Sequence, residues 1–282
     1  MPGADQGWAQ ASMTIPTAAA RSLGHTLVFA LGIALLFVAP ISAEGDEGKG
    51  TSSGGPPSAE ELIAGSIAHH DPEGHFLSRG HRLEFRETRT GGRPDRKTVI
   101  EIDVPANFFR LARLDESEIH GVIDGEPDES TACGMTLDGQ PAAEVDAETR
   151  ESKRLDCAGL VRMRDYYTYL WGLPMKLRDP GSRWDEVTAA ELNGRPVWRL
   201  KVTYDPEVGT DVWYFDFDPR SHALVGYRFY RDATEAKGEI ISLQGVYEGH
   251  GLRLPKERAW VEVPGNRYLG TDILVGLESL SR

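Results

Sequence analysis

Apolar and polar residues alternate along much of the chain, and a period of two marks a strand with one face buried. In residues 196–204, Trp198, Leu200, Val202 and Tyr204 share one face, with Arg199, Lys201 and Thr203 opposite. Residues 212–217 bring Trp213, Phe215 and Phe217 together. In residues 98–104, Ile100, Ile102 and Val104 lie opposite Glu101 and Asp103. Residues 82–88, with Leu83 and Phe85 between charges, read the same way. Further strands are predicted over 107–114, 118–123, 185–192, 223–230, 239–247, 252–263 and 267–277. The links between them carry turn residues: Gly91-Gly92-Arg93-Pro94-Asp95, Asp218-Pro219-Arg220-Ser221, Gly249-His250-Gly251 and Pro264-Gly265-Asn266. Asn193-Gly194 is the strongest short hairpin signal among them.

Two segments follow the helical period instead. Ser58 is placed to cap a helix whose first turn holds Glu60 and Glu61, where the helix dipole favours negative charge. Leu62, Ile63 and Ile67 form its apolar stripe, and Pro72 ends it. In the segment from Arg164, Tyr166, Tyr169 and Leu170 come to one face of a helix that Gly172 and Pro174 stop. Between strands and helix, 124–140 is polar and reads as a loop, and 142–157 as a helix or an excursion. Late strands follow one another with no helix between them, which excludes a doubly wound sheet and a TIM barrel. The expected fold is mainly β (α+β): a strongly curved antiparallel half-barrel of about 10–11 strands, with short helices capping its concave face.

The amino-terminal end is different. Residues 27–39 are apolar without a charge, Arg21 precedes them, and Pro40 and Ala43 follow. This is the pattern of a signal peptide, and the run is short of the roughly 20 apolar residues that span a bilayer. Residues 1–43 are therefore expected to be removed after Ala43, with Met1 or Met13 as the start; a retained anchor is the alternative. Residues 44–58 are rich in Gly, Ser and Pro and read as a flexible linker. The remaining 59–282 suffice for one domain with a real core.

Composition narrows the function. The formal net charge is −13, from 44 acidic and 31 basic residues. Phosphate backbones need a cationic partner, so no nucleic acid is expected. Cys133 and Cys157 are the two cysteines. In an oxidising compartment they can pair; two separate thiols are the alternative. His69, His70, His75 and His81 cluster near Asp71 and Glu73, but their spacing matches no zinc motif, and no metal is expected. Asp205, Asp211, Asp216 and Asp218 border one hairpin, where an acid–base pair competes with plain turn chemistry. No nucleophile elbow or phosphate-cradling loop is present, so no catalytic residue is named.

The meander from Glu191 to Tyr204, continued by Trp213 to Tyr230, resembles the LolA/LppX-like lipoprotein-carrier superfamily. Gly251-Leu252-Arg253-Leu254-Pro255 resembles a step before that superfamily's last strands. The segment Asp165-Tyr-Tyr-Thr-Tyr-Leu-Trp-Gly-Leu-Pro-Met-Lys-Leu resembles a signature of an uncharacterised family of exported bacterial proteins, a domain of unknown function. The resemblance implies a half-barrel around an apolar cavity that holds a lipid or a lipidated protein, in the periplasm or secreted, without a cofactor. Expected lining residues are Leu83, Phe85, Ile100, Ile102, Trp198, Leu200, Trp213 and Phe215, with Tyr169, Leu170 and Trp171 as lid. After cleavage the protein is expected to be a monomer and not integral to the membrane. An envelope hydrolase using Asp and His residues, and a closed structural module without ligand, are the competing readings.

Overall fold

A computed structural model describes residues 55–125 and 133–280. The apolar run, the cleavage point, residues 44–54 of the linker and residues 126–132 of the expected polar loop lie outside the described residues. The chain passes from α1 (Ala59–His70) through the single turn α2 (His75–Ser78) into β1 (Gly80–Arg89), β2 (Arg96–Asp103), β3 (Phe108–Leu114), β4 (Glu118–Asp124), β5 (Cys133–Leu137) and β6 (Gln140–Pro141). Helices α3 (Ala147–Lys153) and α4 (Cys157–Trp171) follow. Then come β7 (Ser182–Leu192), β8 (Arg195–Tyr204), β9 (Val212–Phe217), β10 (Leu224–Tyr230), β11 (Gly238–Gly249), β12 (Leu252–Val263) and β13 (Arg267–Ser279).

The thirteen strands of the described residues form one antiparallel sheet in the order β6-β5-β4-β3-β2-β1-β13-β12-β11-β10-β9-β8-β7. The chain enters at the middle, works out to one edge, crosses to the other edge through α3 and α4, and returns until β13 pairs with β1. The crossing accounts for the curvature. Cys157, the first residue of α4, is bonded to Cys133 on β5, and Tyr169 near its other end meets Tyr204 on β8 and Trp213 on β9. Along the sheet, β5 and β9 are nine strand spacings apart, about 43 Å at about 4.8 Å each. A helix of 15 residues is only about 22 Å long. The sheet must curl around α4 for both ends to be in contact. The terminal strands β6 and β7 do not pair, so the half-barrel stays open.

Local sequence explains the helices. Ser58 and Glu61 form a reciprocal capping box at the start of α1. Asp156 caps α4, accepting from Gly159 N–H at 2.6 Å. That cap starts α4 two turns before the expected Arg164. Gly121 on β4 lets α4 approach closely, since a Cβ there would lie 2.6 Å from Leu160. The disulfide, with its Cα atoms 5.7 Å apart, fixes the first turn of α4. Restricting the unfolded chain this way contributes about 3 kcal/mol in the loop-entropy model.

The strand count exceeds the expected 10–11 because β5 and β6 occupy the stretch read as a loop. In β5 only Met135 is buried, so the alternation is too short to register. Val104 also departs from expectation: β2 ends at Asp103, and Val104 sits exposed in the following turn.

Candidate functional site

Leu83, Phe85, Ile100, Ile102, Leu200, Trp213 and Phe215 are buried on the concave side, and Trp198 is half-buried. They divide between two apolar clusters, the first four around β1–β5 and the others around β8–β12. Tyr169, Leu170 and Trp171 form the last turn of α4 and are packed onto them, with ring centroids 5.0 Å apart for Phe85–Trp171 and 5.3 Å for Tyr169–Trp213. Helix α4 serves both clusters, Leu160, Met163 and Trp171 in one, Tyr169 and Leu170 in the other.

Beneath that last turn, a row of charge crosses the apolar floor. Arg96, Glu87, Asp272 and Arg258 are successive cross-strand partners on β2, β1, β13 and β12. Directly opposed residues project to the same face, so the order across the concave side is plus, minus, minus, plus. Glu87 accepts from Arg96 Nε, from Arg96 Nη2 at 2.9 Å and from Thr98 Oγ1 at 2.7 Å. Burial raises its pKa, but the Arg96 cation and these bonds overcome that and hold it below the usual carboxylate range. Asp272 accepts from Trp260 Nε1 at 2.9 Å. Burial, and then the Glu87 charge opposite, push Asp272 up to about 7. Two carboxylates this close do not both ionise readily. Further along the same face, burial also pushes Glu239 up to about 7. On the other flank, Arg113 is buried against Met163 with its Nε unpartnered, and Arg89 pairs with Asp115 at 3.0 Å.

None of these charges was singled out from the sequence, although the signal is present. Glu87 continues the Leu83–Phe85 face by two residues, and Arg113 continues Phe109–Leu111. The signal is a charged residue at an inward position of an alternating strand.

The pH consequence has a definite sign. Asp272 has its folded pKa above the unfolded value near 4, so its contribution to stability is full below about pH 4 and lost as pH rises to about 7. His70 works oppositely. Burial depresses it to about 4, so stability falls as pH drops from about 6.5 towards 4. Asp272→Asn, which mimics the protonated acid, should match wild type in urea unfolding only near pH 3, and its margin over wild type should grow by on the order of 2 kcal/mol between pH 5 and pH 8. Equal pH dependence in both proteins would remove the carboxyl pair from the explanation.

The sheet opens where two central strands part. Strands β10 and β11 pair from Tyr230–Gly238 to Gly226–Ser242 and no further. Beyond Ser242, β11 follows β12, while Leu224 of β10 pairs with Phe217 of β9. His70, at the end of α1, bridges the gap. Its Nδ1 lies 2.5 Å from the Arg253 carbonyl oxygen, and Leu224 N–H donates to its Nε2 at 2.9 Å. Accepting at Nε2 fixes the proton on Nδ1, which suits a neutral imidazole. The β7–β8 hairpin tip covers the gap from outside. Leu192 lies against Gly226, where a Cβ would come within 2.7 Å of it, and Asn193 Nδ2 donates to Ser242 Oγ at 3.3 Å. The result is a groove of about 590 Å³. Its walls mix apolar Leu192, Pro196, Val197, Leu224, Leu243 and Val246 with Asn193, Arg195, Asp218, Gln244 and His69. Leu224 belongs to the second apolar cluster and Leu243 packs on it, so the groove adjoins the interior.

The other sequence candidates are bound into the framework. Asp216 is buried on the opposite face of β9, held by Arg199 at 2.5 and 2.9 Å and by Arg228 at 3.3 Å. Asp71 accepts from the N–H groups of His75 and Phe76 at 2.7 and 2.9 Å. His75 Nδ1 lies 3.2 Å from the His250 carbonyl oxygen and His81 Nε2 3.0 Å from that of His75. Asp218 closes its own turn onto Arg220 and Ser221. Among the described residues, no three His, Cys, Asp or Glu side chains are grouped to hold a metal.

Fold and site together define an open antiparallel half-barrel, plugged by one helix, with a groove at a split between strands. The profile of the Family of unknown function (DUF6503) matches residues 57–275, and the chain belongs to that family. No curated protein matches. Solved structures similar to the chain include a LolA superfamily protein from Nitrosomonas europaea, at 7% identity over 80% of this chain and 96% of that one, with a TM-score of 0.46. A DUF1329 family protein from Desulfovibrio piger matches at 9% identity over 80% and 96%, with a TM-score of 0.47. A putative outer membrane lipoprotein-sorting protein domain from Vibrio parahaemolyticus matches at 11% identity over 79% and 91%, with a TM-score of 0.44. No helix among the described residues is long and apolar enough to cross a membrane.

Proposed function

We propose that the protein is a non-catalytic carrier that binds the acyl chain of a lipid or lipidated protein outside the cytoplasm. The observation behind this is the groove of about 590 Å³ that meets the second apolar cluster at Leu224 and Leu243. Its size falls within the roughly 300–1,000 Å³ of ligand pockets. Each CH₂ moved into such a place contributes roughly 0.8 kcal/mol.

In this reading the described form is the closed one. Leu83, Phe85, Ile100, Ile102, Trp198, Leu200, Trp213 and Phe215 line the concave face, and Tyr169, Leu170 and Trp171 are the lid over it. Helix α4 meets the sheet mainly through apolar side chains, and apolar contact is non-directional. An acyl chain that replaced part of the last turn would release two hydrogen bonds, between the Tyr169 and Tyr204 hydroxyls and from Arg258 to the Leu170 carbonyl oxygen. The disulfide at Cys157 would keep the start of α4 in place while its last turn moves. The hydrolase reading is weaker, because Asp216 is clamped by two arginines on the far face.

The test is lipid retention and uptake by the mature protein. Native mass spectrometry after purification from its own host should show co-purifying acyl species, and a fluorescent fatty acid should bind and be displaced by palmitate. Absence of both would end the proposal in favour of a closed structural module.

A further inference from the structure

Under the last turn of α4 lies a cation that nothing nearby fully neutralises. Arg258 is 2% exposed. Its guanidinium rests 3.6 Å from the centroid of the Trp171 ring, and Nη2 donates to the Leu170 carbonyl oxygen at 3.3 Å. The Tyr227 hydroxyl, itself 1% exposed, lies beside it, and among the described residues neither that hydroxyl nor Nε and Nη1 makes a hydrogen bond of full geometry. Arginine does not give up its charge, so a buried guanidinium with unused donors is costly until an acceptor arrives.

The neighbouring acids answer it only in part. Asp272, directly opposite on β13, is engaged by Trp260, faces Glu87 and titrates at about 7, so at neutral pH it carries only part of a charge. Glu87 is committed to Arg96 and Thr98. Glu239 also titrates at about 7. Tyr166 stays a neutral phenol, because burial raises its pKa well above the usual value. The chain as a whole carries a formal net charge of −13, so this cation stands out as a feature of the site.

Its position connects it to the groove. Leu243, the cross-strand partner of Arg258 on β11, is part of the groove wall. Leu243 thus belongs both to the groove wall and to the cross-strand row that holds Arg258. The groove wall itself carries both signs of charge, at Arg195 and Asp218.

We propose that the ligand is a single-chain amphiphile with an anionic oxygen head, bound head inward by Arg258 and Tyr227, its acyl chain running past Leu243 into the groove. This rests on the acyl-binding reading above and adds to it the charge and direction of the ligand. Charged hydrogen bonds in a low-dielectric interior are roughly twice as strong as neutral ones, which makes the head a source of selectivity.

The experiment compares palmitate, hexadecyl phosphate, hexadecanol and acetate on the mature protein by isothermal titration at pH 7. Palmitate and hexadecyl phosphate should each bind about tenfold or more tighter than hexadecanol. Arg258→Met should abolish that preference, bringing palmitate and hexadecyl phosphate to within about threefold of hexadecanol. Tyr227→Phe, which removes one hydroxyl and keeps the ring, should reduce the preference by about threefold even if the arginine variant fails to fold. Equal binding of acid and alcohol overturns the anionic head but leaves acyl binding intact. Acetate binding as well as palmitate overturns the amphiphile. No binding of any of the four overturns both readings.

Discussion

Glu87→Ala should cost about 3–5 kcal/mol of stability, as expected for a buried ion pair that loses one partner. Glu87 takes two bonds from Arg96 and one from Thr98, and all three residues are buried. Truncation leaves the Arg96 cation without an acceptor and the Thr98 hydroxyl without its bond. The loss should fall towards the lower figure for a specific reason. Asp272 faces Glu87 and holds its proton partly because Glu87 is charged. With Glu87 gone, Asp272 ionises more readily and supplies part of the missing charge. Two further variants separate these effects in urea unfolding. Glu87→Ala with Arg96→Met should recover most of the loss, since no buried charge is left unpaired. Glu87→Ala with Asp272→Asn should be the least stable combination. If the single variant loses less than about 1 kcal/mol, the row of charges is not part of the packed interior.

The same row shows where reading the sequence stops. Strand faces were legible, because Trp213, Phe215 and Phe217, or Ile100 and Ile102, announce burial locally at a period of two. The Asn193-Gly194 turn and the end of α4 at Gly172 were legible for the same reason, since each depends on a few adjacent residues. The charges at Glu87, Arg96, Asp272 and Arg258 were not, because each looks like an outward residue until its partners on adjacent strands are known. The groove was beyond reach too. It exists because β10 and β11 part after Gly226–Ser242, a property of register between strands and not of either strand alone. The curl was legible only as a class of fold. Its extent follows from a helix of 15 residues joining two distant parts of the sheet.

Trp213→Ala should likewise cost about 3–5 kcal/mol, and it probes whether the concave face is a rigid core or a surface able to accept a ligand. Trp213 is 0% exposed, and its ring lies among those of Phe229, Tyr169, Phe215 and Tyr227, at centroid distances of 4.9, 5.3, 5.7 and 6.0 Å. Its Nε1 has no partner among the described residues, so truncation breaks no hydrogen bond there and the loss is one of packing. Each Å³ of void that the surroundings do not refill costs about 24 cal/mol. Trp213→Phe keeps a ring in the cluster and should lose about half as much. If α4 is a displaceable plug, the void is space for an acyl chain. Saturating palmitate should then restore the alanine variant by more than it stabilises wild type, where binding at a hundredfold excess over Kd contributes about 2.7 kcal/mol. A variant that loses its stability and does not regain it with palmitate would mark the face as a core. In that case the groove at Leu224 and Leu243 alone would have to accommodate the chain.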